Sequence, residues 1–292
     1  MTLTGVFAKY ADRGDELVTA GLRRALVLAV LLFSVTCAHA EEANRLPWEK
    51  FGFVVGGFIV SSDTELRVDS ATGIGVSVDL EDSLGLDSKL GTYRIGLMYR
   101  PGNSRRHQIE FQYFESSRSG DKTLDNDLEI GDKFFPAGTT VHSELGLRFL
   151  NVDYSYAFLQ DERVRLAVSA GVHTTDVKFS IESSETPTSE DESFTAPLPV
   201  IGLRADFVLT PRWRFKSTLD LMYLEYRGLE GVLTDAYVGI EYLAFKNIGF
   251  GFGLNGIRYR VEGDGNDPNG MDFKGVLQLD LDGAVLYARY FF

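Results

Sequence analysis

The sequence predicts an all-β protein: a transmembrane antiparallel up-and-down β-barrel of about ten strands. Three observations carry that prediction. From residue 50 onward, apolar and polar side chains alternate with a period of two in segment after segment, as they do in strands that show one face to hydrocarbon and the other to a polar interior. Short turns alternate with long polar loops, the asymmetry of barrels that keep tight turns on one side of a membrane. The chain closes on Ala284, Leu286, Ala288, Tyr290 and Phe292 along one face, a strand long enough, when tilted, to cross a bilayer. Beyond the N-terminal region no segment approaches the roughly eighteen consecutive apolar residues of a membrane helix, so a crossing must use strands.

The N-terminus reads as a secretory signal. Arg23 and Arg24 precede an apolar run from Ala25 to Thr36, and Ala38-His39-Ala40 ahead of Glu41 matches a small-x-small cleavage site. Residues 1–40 are therefore expected to be a signal peptide, 41–49 a short linker, and 50–292 the barrel. Lys9, Asp12, Arg13, Asp15 and Glu16 are unusual ahead of such a signal and argue that translation begins downstream of Met1. Cys37 does not read as a lipidation site, because Ser34-Val35-Thr36 lacks the leucine expected three residues before a lipidated cysteine.

Cleavage after Ala40 would leave 25 basic and 39 acidic residues, a net charge of −14, and no cysteine. That excludes disulfides and thiolate metal sites. It also disfavours nucleic acid, whose phosphates an acidic surface repels.

Short turns are expected at 101–105, 160–162, 210–212 and 246–247, and longer polar segments near 61–90, 119–139, 183–194, 228–231 and 262–271. Between them the alternation is regular. Val164, Leu166, Val168, Ala170 and Val172 oppose Arg163, Arg165, Ser169 and His173, while Ile248, Phe250, Phe252 and Leu254 oppose three glycines and Asn255. Ten crossings result, near 50–62, 90–100, 106–118, 140–159, 163–182, 195–209, 213–227, 232–244, 248–261 and 272–292. Eight or twelve also satisfy the even-number rule, since 73–80 reads as an extra strand or as part of the second, and Asp282-Gly283 as a hairpin turn. In several strands the apolar parity switches about one membrane thickness from the short turn, as from Leu254 to Ile257 and Tyr259, which suggests bulges where strands leave the bilayer. Aromatics beside the short turns, among them Tyr99, Tyr156, Trp213 and Tyr242, suit an interfacial girdle.

Four stretches, Asp79 to Asp87, Tyr154 to Gln160, Pro197 to Leu203 and the aromatic end, resemble proteobacterial outer-membrane β-barrel proteins of the small OmpA/OmpW-like kind, over essentially all of the mature chain. That resemblance implies architecture and an outer-membrane location but supplies no catalytic residues. Tyr290 and Phe292 would be the signal read by the barrel-assembly machinery. Outer-membrane lipid and lipopolysaccharide are the other expected partners of a monomer without cofactor or nucleic acid.

An enzyme is not expected. Ser169 and His173 lie four residues apart on one strand, roughly 13 Å, too far for a nucleophile and its base; His142 and Ser143 are sequence neighbours pointing to opposite faces, and His107 sits beside a short turn. The lumen is expected to carry Arg94, Arg100, Arg163, Arg165, Arg204, Arg214 and Lys216 against Glu110, Asp153, Asp206, Asp220, Asp235 and Glu241. Two readings follow: an ion-pair network closing a narrow barrel, which leaves a structural or interaction-mediating role for the loops, or a charged pore for small solutes, porin-like. The closed barrel is favoured, since side chains nearly fill a lumen of this size. Asp264, Asp267 and Asp272 resemble a calcium loop in ligand type but lack its regular spacing and closing glutamate. The Leu80 to Asp87 segment reads either as a small helical plug or as a surface loop.

Overall fold

The computed structural model describes residues 48–69, 77–130, 133–184, 189–226, 229–264 and 274–292. The expected signal peptide and most of the linker lie outside them. The elements run β1 (Phe51–Val68), β2 (Val78–Asp79), α1 (Leu80–Leu84), β3 (Lys89–Tyr99), β4 (His107–Thr123), β5 (Leu128–Ile130), β6 (Lys133–Phe135), β7 (Thr140–Gln160), β8 (Val164–Ser183), β9 (Ser189–Val208), β10 (Trp213–Tyr226), β11 (Leu229–Leu243), β12 (Ile248–Asp264) and β13 (Lys274–Phe291).

Ten of these strands form the ring: β1, β3, β4 and β7 to β13, each antiparallel to its neighbours, with β13 closing on β1 from Gly52↔Phe291 to Val68↔Gly275. Closure pairs the strands all round in the half nearer the short turns, while further up the β3–β4 ladder ends at Arg94↔Phe114 and the β9–β10 ladder at Ile201↔Leu221. β13 is continuous through Asp282 and Gly283, so no hairpin forms there. β5 and β6 are a separate small hairpin between β4 and β7. Five strands, β1, β4, β9, β11 and β12, run three to six residues past the bounds expected from alternation, each toward a long loop, while β7 and β8 end within a residue of them.

The parity switches are not bulges. On β12 the odd positions point inward throughout: Gly249, Gly251, Gly253 and Asn255, then Ile257, Tyr259 and Val261. β12 stays in register with both neighbours along its length. A bulge would turn the side chains over; here the faces never exchange. What changes is the medium outside. Near the short turns the outer face is Ile248, Phe250, Phe252 and Leu254 and the inner face is small or polar; further along, the outer face becomes Arg258, Arg260 and Glu262 and the apolar residues move inside. A wall that leaves hydrocarbon for water must exchange what its two faces show. β7 repeats the pattern, with Asn151, Asp153 and Ser155 inside below and Leu145, Leu147 and Phe149 inside above. The one register shift in the β7–β8 ladder lies between Ala157 and Leu159, beside a short turn.

The upper interior is therefore a packed core, contributed by every quarter of the ring and including Leu66, Leu145, Phe179, Leu198, Tyr259 and Leu279. α1 helps to fill it. β3 stops pairing with β4 at Arg94↔Phe114, and the helix lies against β1, β4 and β7 above that point. Asp79 caps its N-terminus by accepting from the Asp82 N–H, and Gly85 ends it in the left-handed region at φ 71°. Leu80 and Leu84 are fully buried, and Glu81 pairs with Arg118. Of the two readings of Leu80 to Asp87, the plug is the arrangement observed.

Candidate functional site

Beneath the apolar core lies a charged layer, held between the core and the short-turn end. Its residues sit at inward strand positions level with the lipid-facing belt. Their charge survives there because nearly every guanidinium meets a carboxylate, as a buried charge requires. Arg204 on β9 is the hub. It donates to Asp220 at 2.7 Å and lies 3.7 Å from both Asp153 and Glu110. His173 Nε2 is 3.3 Å from Asp153.

A second group gathers at the short-turn end. Arg289 meets Glu241 at 2.6 Å, Lys216 lies 3.3 Å from the same carboxylate, and Tyr287 donates to it. Arg165, with no exposed surface, lies 3.4 Å from Asp206. Into this group reaches Glu49, 2.5 Å from Arg214, 3.4 Å from Arg289 and 3.8 Å from Arg100. Trp48 beside it donates to the Asp161 carbonyl. Residues 41–49 were expected to form a linker, but Trp48 and Glu49 are built into the barrel mouth, because three arginines there demand an anion. Nothing in the alternation of the later chain could have revealed that.

Arg94 occupies the boundary between the two layers. It donates to Asn255 at 2.7 Å and lies over the rings of Phe58 and Phe114, at 5.2 and 5.1 Å, so a cation caps the aromatic floor of the apolar core. Asn255 in turn donates to Asp235. Between the groups remains a cavity of about 150 Å³, bordered by Glu110, Asp153, Arg204, Asp235, Tyr237 and Tyr287 among others. The glycines of β12 set its shape: a Cβ at Gly251 would stand 2.0 Å from the Tyr287 ring, and one at Gly253 2.4 Å from the Tyr237 ring. The Gly-x-Gly-x-Gly stripe on β12 thus makes room for two inward tyrosines.

Arg94, Glu110, Asp153, Arg165, Arg204, Asp206, Arg214, Lys216, Asp220 and Glu241 all lie in or beside this layer. Arg163 does not. Its N–H is held by Asp161 in the β7–β8 turn and its side chain is exposed, because the strand begins only at Val164. Tyr290 and Phe292 face outward near Phe51, with Phe292 stacked on Phe51 at 5.1 Å.

Ser169 donates to Asp220, not to His173. His142 bonds Asp121 on the outer wall, and His107 bonds Tyr154. Asp267 and Asp272 lie outside the described residues, and Asp264 ends β12 with its side chain also outside them. The upper apolar core was the feature missed from sequence, although the parity switches were its signal.

Several solved β-barrel structures align with the chain. The outer membrane protease OmpT from Escherichia coli aligns with a TM-score of 0.54 at 14% identity, over 86% of this chain and 99% of that one. The translocator domain of the autotransporter NalP from Neisseria meningitidis aligns at 0.38 and 8%, over 97% and 99%, and Ail from Yersinia pestis at 0.34 and 11%, over 82% and 98%. The OmpT likeness shows the fold, an outer-membrane type of antiparallel barrel. No family model and no curated protein matches the chain.

Proposed function

We propose that this chain is an integral outer-membrane barrel with a sealed lumen, acting as a structural or interaction-mediating component through the strands and loops it raises above the membrane. The observation that carries this reading is the continuous apolar core above the charged layer. Solutes and ions would have to cross a packed hydrocarbon interior, not a hydrated path. The charged layer then serves to close the barrel within the bilayer. On this reading the protein is not an enzyme, works as a monomer, and has outer-membrane lipid, lipopolysaccharide and the assembly machinery as its partners. The resemblance to the small OmpA/OmpW-like kind belongs with it. Passive transport is the second reading, favoured by the cavity among the charges.

Labelling tests the orientation. Glu129→Cys, on the β5–β6 hairpin, should react with a membrane-impermeant maleimide in intact cells, whereas Asn103→Cys, in a short turn, should react only after permeabilisation. The reverse pattern, or absence of the protein from the outer-membrane fraction, contradicts the proposal.

A further inference from the structure

The short-turn end of the barrel carries the charge opposite to the rest of the chain. The five long polar segments of the sequence, near 61–90, 119–139, 183–194, 228–231 and 262–271, hold twenty acidic and four basic side chains. At the other end the sign reverses. Lys50 leads into β1, Arg105 and Arg106 lie in the β3–β4 turn, Arg163 in the β7–β8 turn, Arg212 in the β9–β10 turn and Lys246 in the β11–β12 turn. Every junction of the ring at this end thus presents a basic side chain. Outside the lumen only Asp161 and Glu162 oppose them, among the described residues, and Asp161 is turned back to accept the Arg163 and Val164 N–H groups.

Most of these cations touch backbone or rings, not carboxylates. Arg105 donates to the Trp48 carbonyl, Arg106 to the Ala157 carbonyl at 3.1 Å and Arg212 to the Tyr242 hydroxyl at 3.3 Å, while Lys50 lies 5.8 Å over the Phe51 ring. Among the described residues none of these four forms an ion pair, whereas the lumen arginines Arg165, Arg204, Arg214 and Arg289 all do. The same contacts set the cations beside the aromatic girdle. Phe51 stacks on Phe292, Tyr242 lies 4.9 Å from Trp213, and Phe158, 54% exposed, follows Ala157. Such a girdle marks the depth at which hydrocarbon gives way to headgroups. The rim cations therefore stand at the level of the lipid phosphates, groups that arginine and lysine both bind.

We propose that the short-turn rim is a binding surface for the phosphate groups of anionic phospholipid in the leaflet it borders, the basic side chains holding headgroups whose acyl chains run along the neighbouring girdle aromatics. This rests on the outer-membrane reading above and names the lipid chemistry and the leaflet that reading leaves open. The occupant follows from charge and depth. A soluble anion meets an exposed surface screened by salt, whereas a lipid is held at the height of the rim by its own chains and is drawn there by each added cation.

The test uses the full mature barrel with Trp48→Phe, which leaves Trp213, outward and 42% exposed, as a reporter at the rim. The barrel is reconstituted in phosphatidylcholine in which a minor fraction is either phosphatidylglycerol or phosphatidylcholine with brominated acyl chains, which quench tryptophan on contact. Brominated phosphatidylglycerol should quench Trp213 about twofold more than brominated phosphatidylcholine at the same fraction. That excess should vanish when Arg106, Arg163 and Arg212 are all replaced by Gln and be largely kept when they are replaced by Lys. Ile59→Trp, with Trp48 and Trp213 both replaced by Phe, reports from the opposite border of the belt, where Ser61 and Asp63 follow on the outer face, and should show no excess. Heat-modifiable migration on gels establishes that each variant is folded. Equal quenching by the two lipids at Trp213, the same excess at 59, or an excess that survives the Gln substitutions overturns the proposal. So does an excess removed by millimolar inorganic phosphate, which would mark a site for free anions. Quenching of Trp213 by neither lipid would instead take the barrel out of the bilayer, so failure of the outer-membrane reading is distinguishable from failure of the lipid preference.

Discussion

At the scale of single residues, position relative to the lipid belt decides what a substitution costs. Val168 faces outward within the belt, and Val168→Arg should cost about 2 to 4 kcal/mol near the midplane. Thr174→Arg, outward on the same strand but above the belt, should cost far less; equal losses in equilibrium unfolding would mean that the belt is misplaced. Inside, Arg204 serves three carboxylates, and Arg204→Met should cost about 3 to 5 kcal/mol, because Asp153, Asp220 and Glu110 would keep their burial and lose their cation. Arg163→Ala, in the turn, should stay within about 0.5 kcal/mol. In that turn Asp161 accepts the N–H groups of Arg163 and Val164, which hold its carboxyl below the usual carboxylate range. Its contribution to stability is present above the unfolded-state value and fades as pH falls through the lower folded one, so Asp161→Asn should flatten the acid limb of the stability profile. The identity of most lumen charges was legible from alternation alone. Their partners were not, because pairing depends on which strands face one another across the ring.

At the scale of elements, the strands announce themselves by period and the helix does not. α1 is a single turn inside a segment whose sequence read equally well as loop, and only the gap left where β3 and β4 part gives it a place. Its stability should therefore come from the cap and from two leucines. Asp79→Ala should cost about 1 kcal/mol, and Leu84→Ala about 2 to 5 kcal/mol through the cavity left in the upper core; thermal unfolding of the refolded barrel checks both. Gly120→Ala should be as harmful as either, since its Cβ would stand 2.3 Å from the Gly85 carbonyl and push the helix off the wall. A harmless Leu84→Ala would mean that the plug is loosely held. Strand ends were hardest to read for a related physical reason: above the belt, apolar residues face in where below they face out, and a pattern that reverses looks like one that stops.

At the scale of the whole molecule, two interiors share one wall. The charged layer spans the region where lipid lies outside, and the apolar core stands where water does. Ring closure and strand count were legible in the sequence, as was the short-turn end. The sealing layer was not, because the parity switches that mark it read equally as bulges where strands leave the bilayer. The central claim is that this layer closes the lumen, and conductance tests it most directly. Purified protein inserted into planar bilayers should show no stepwise current while migrating on gels as a folded barrel. Reproducible single-channel steps from the unmodified protein, shifted toward cation selectivity by Arg165→Glu, would contradict the account.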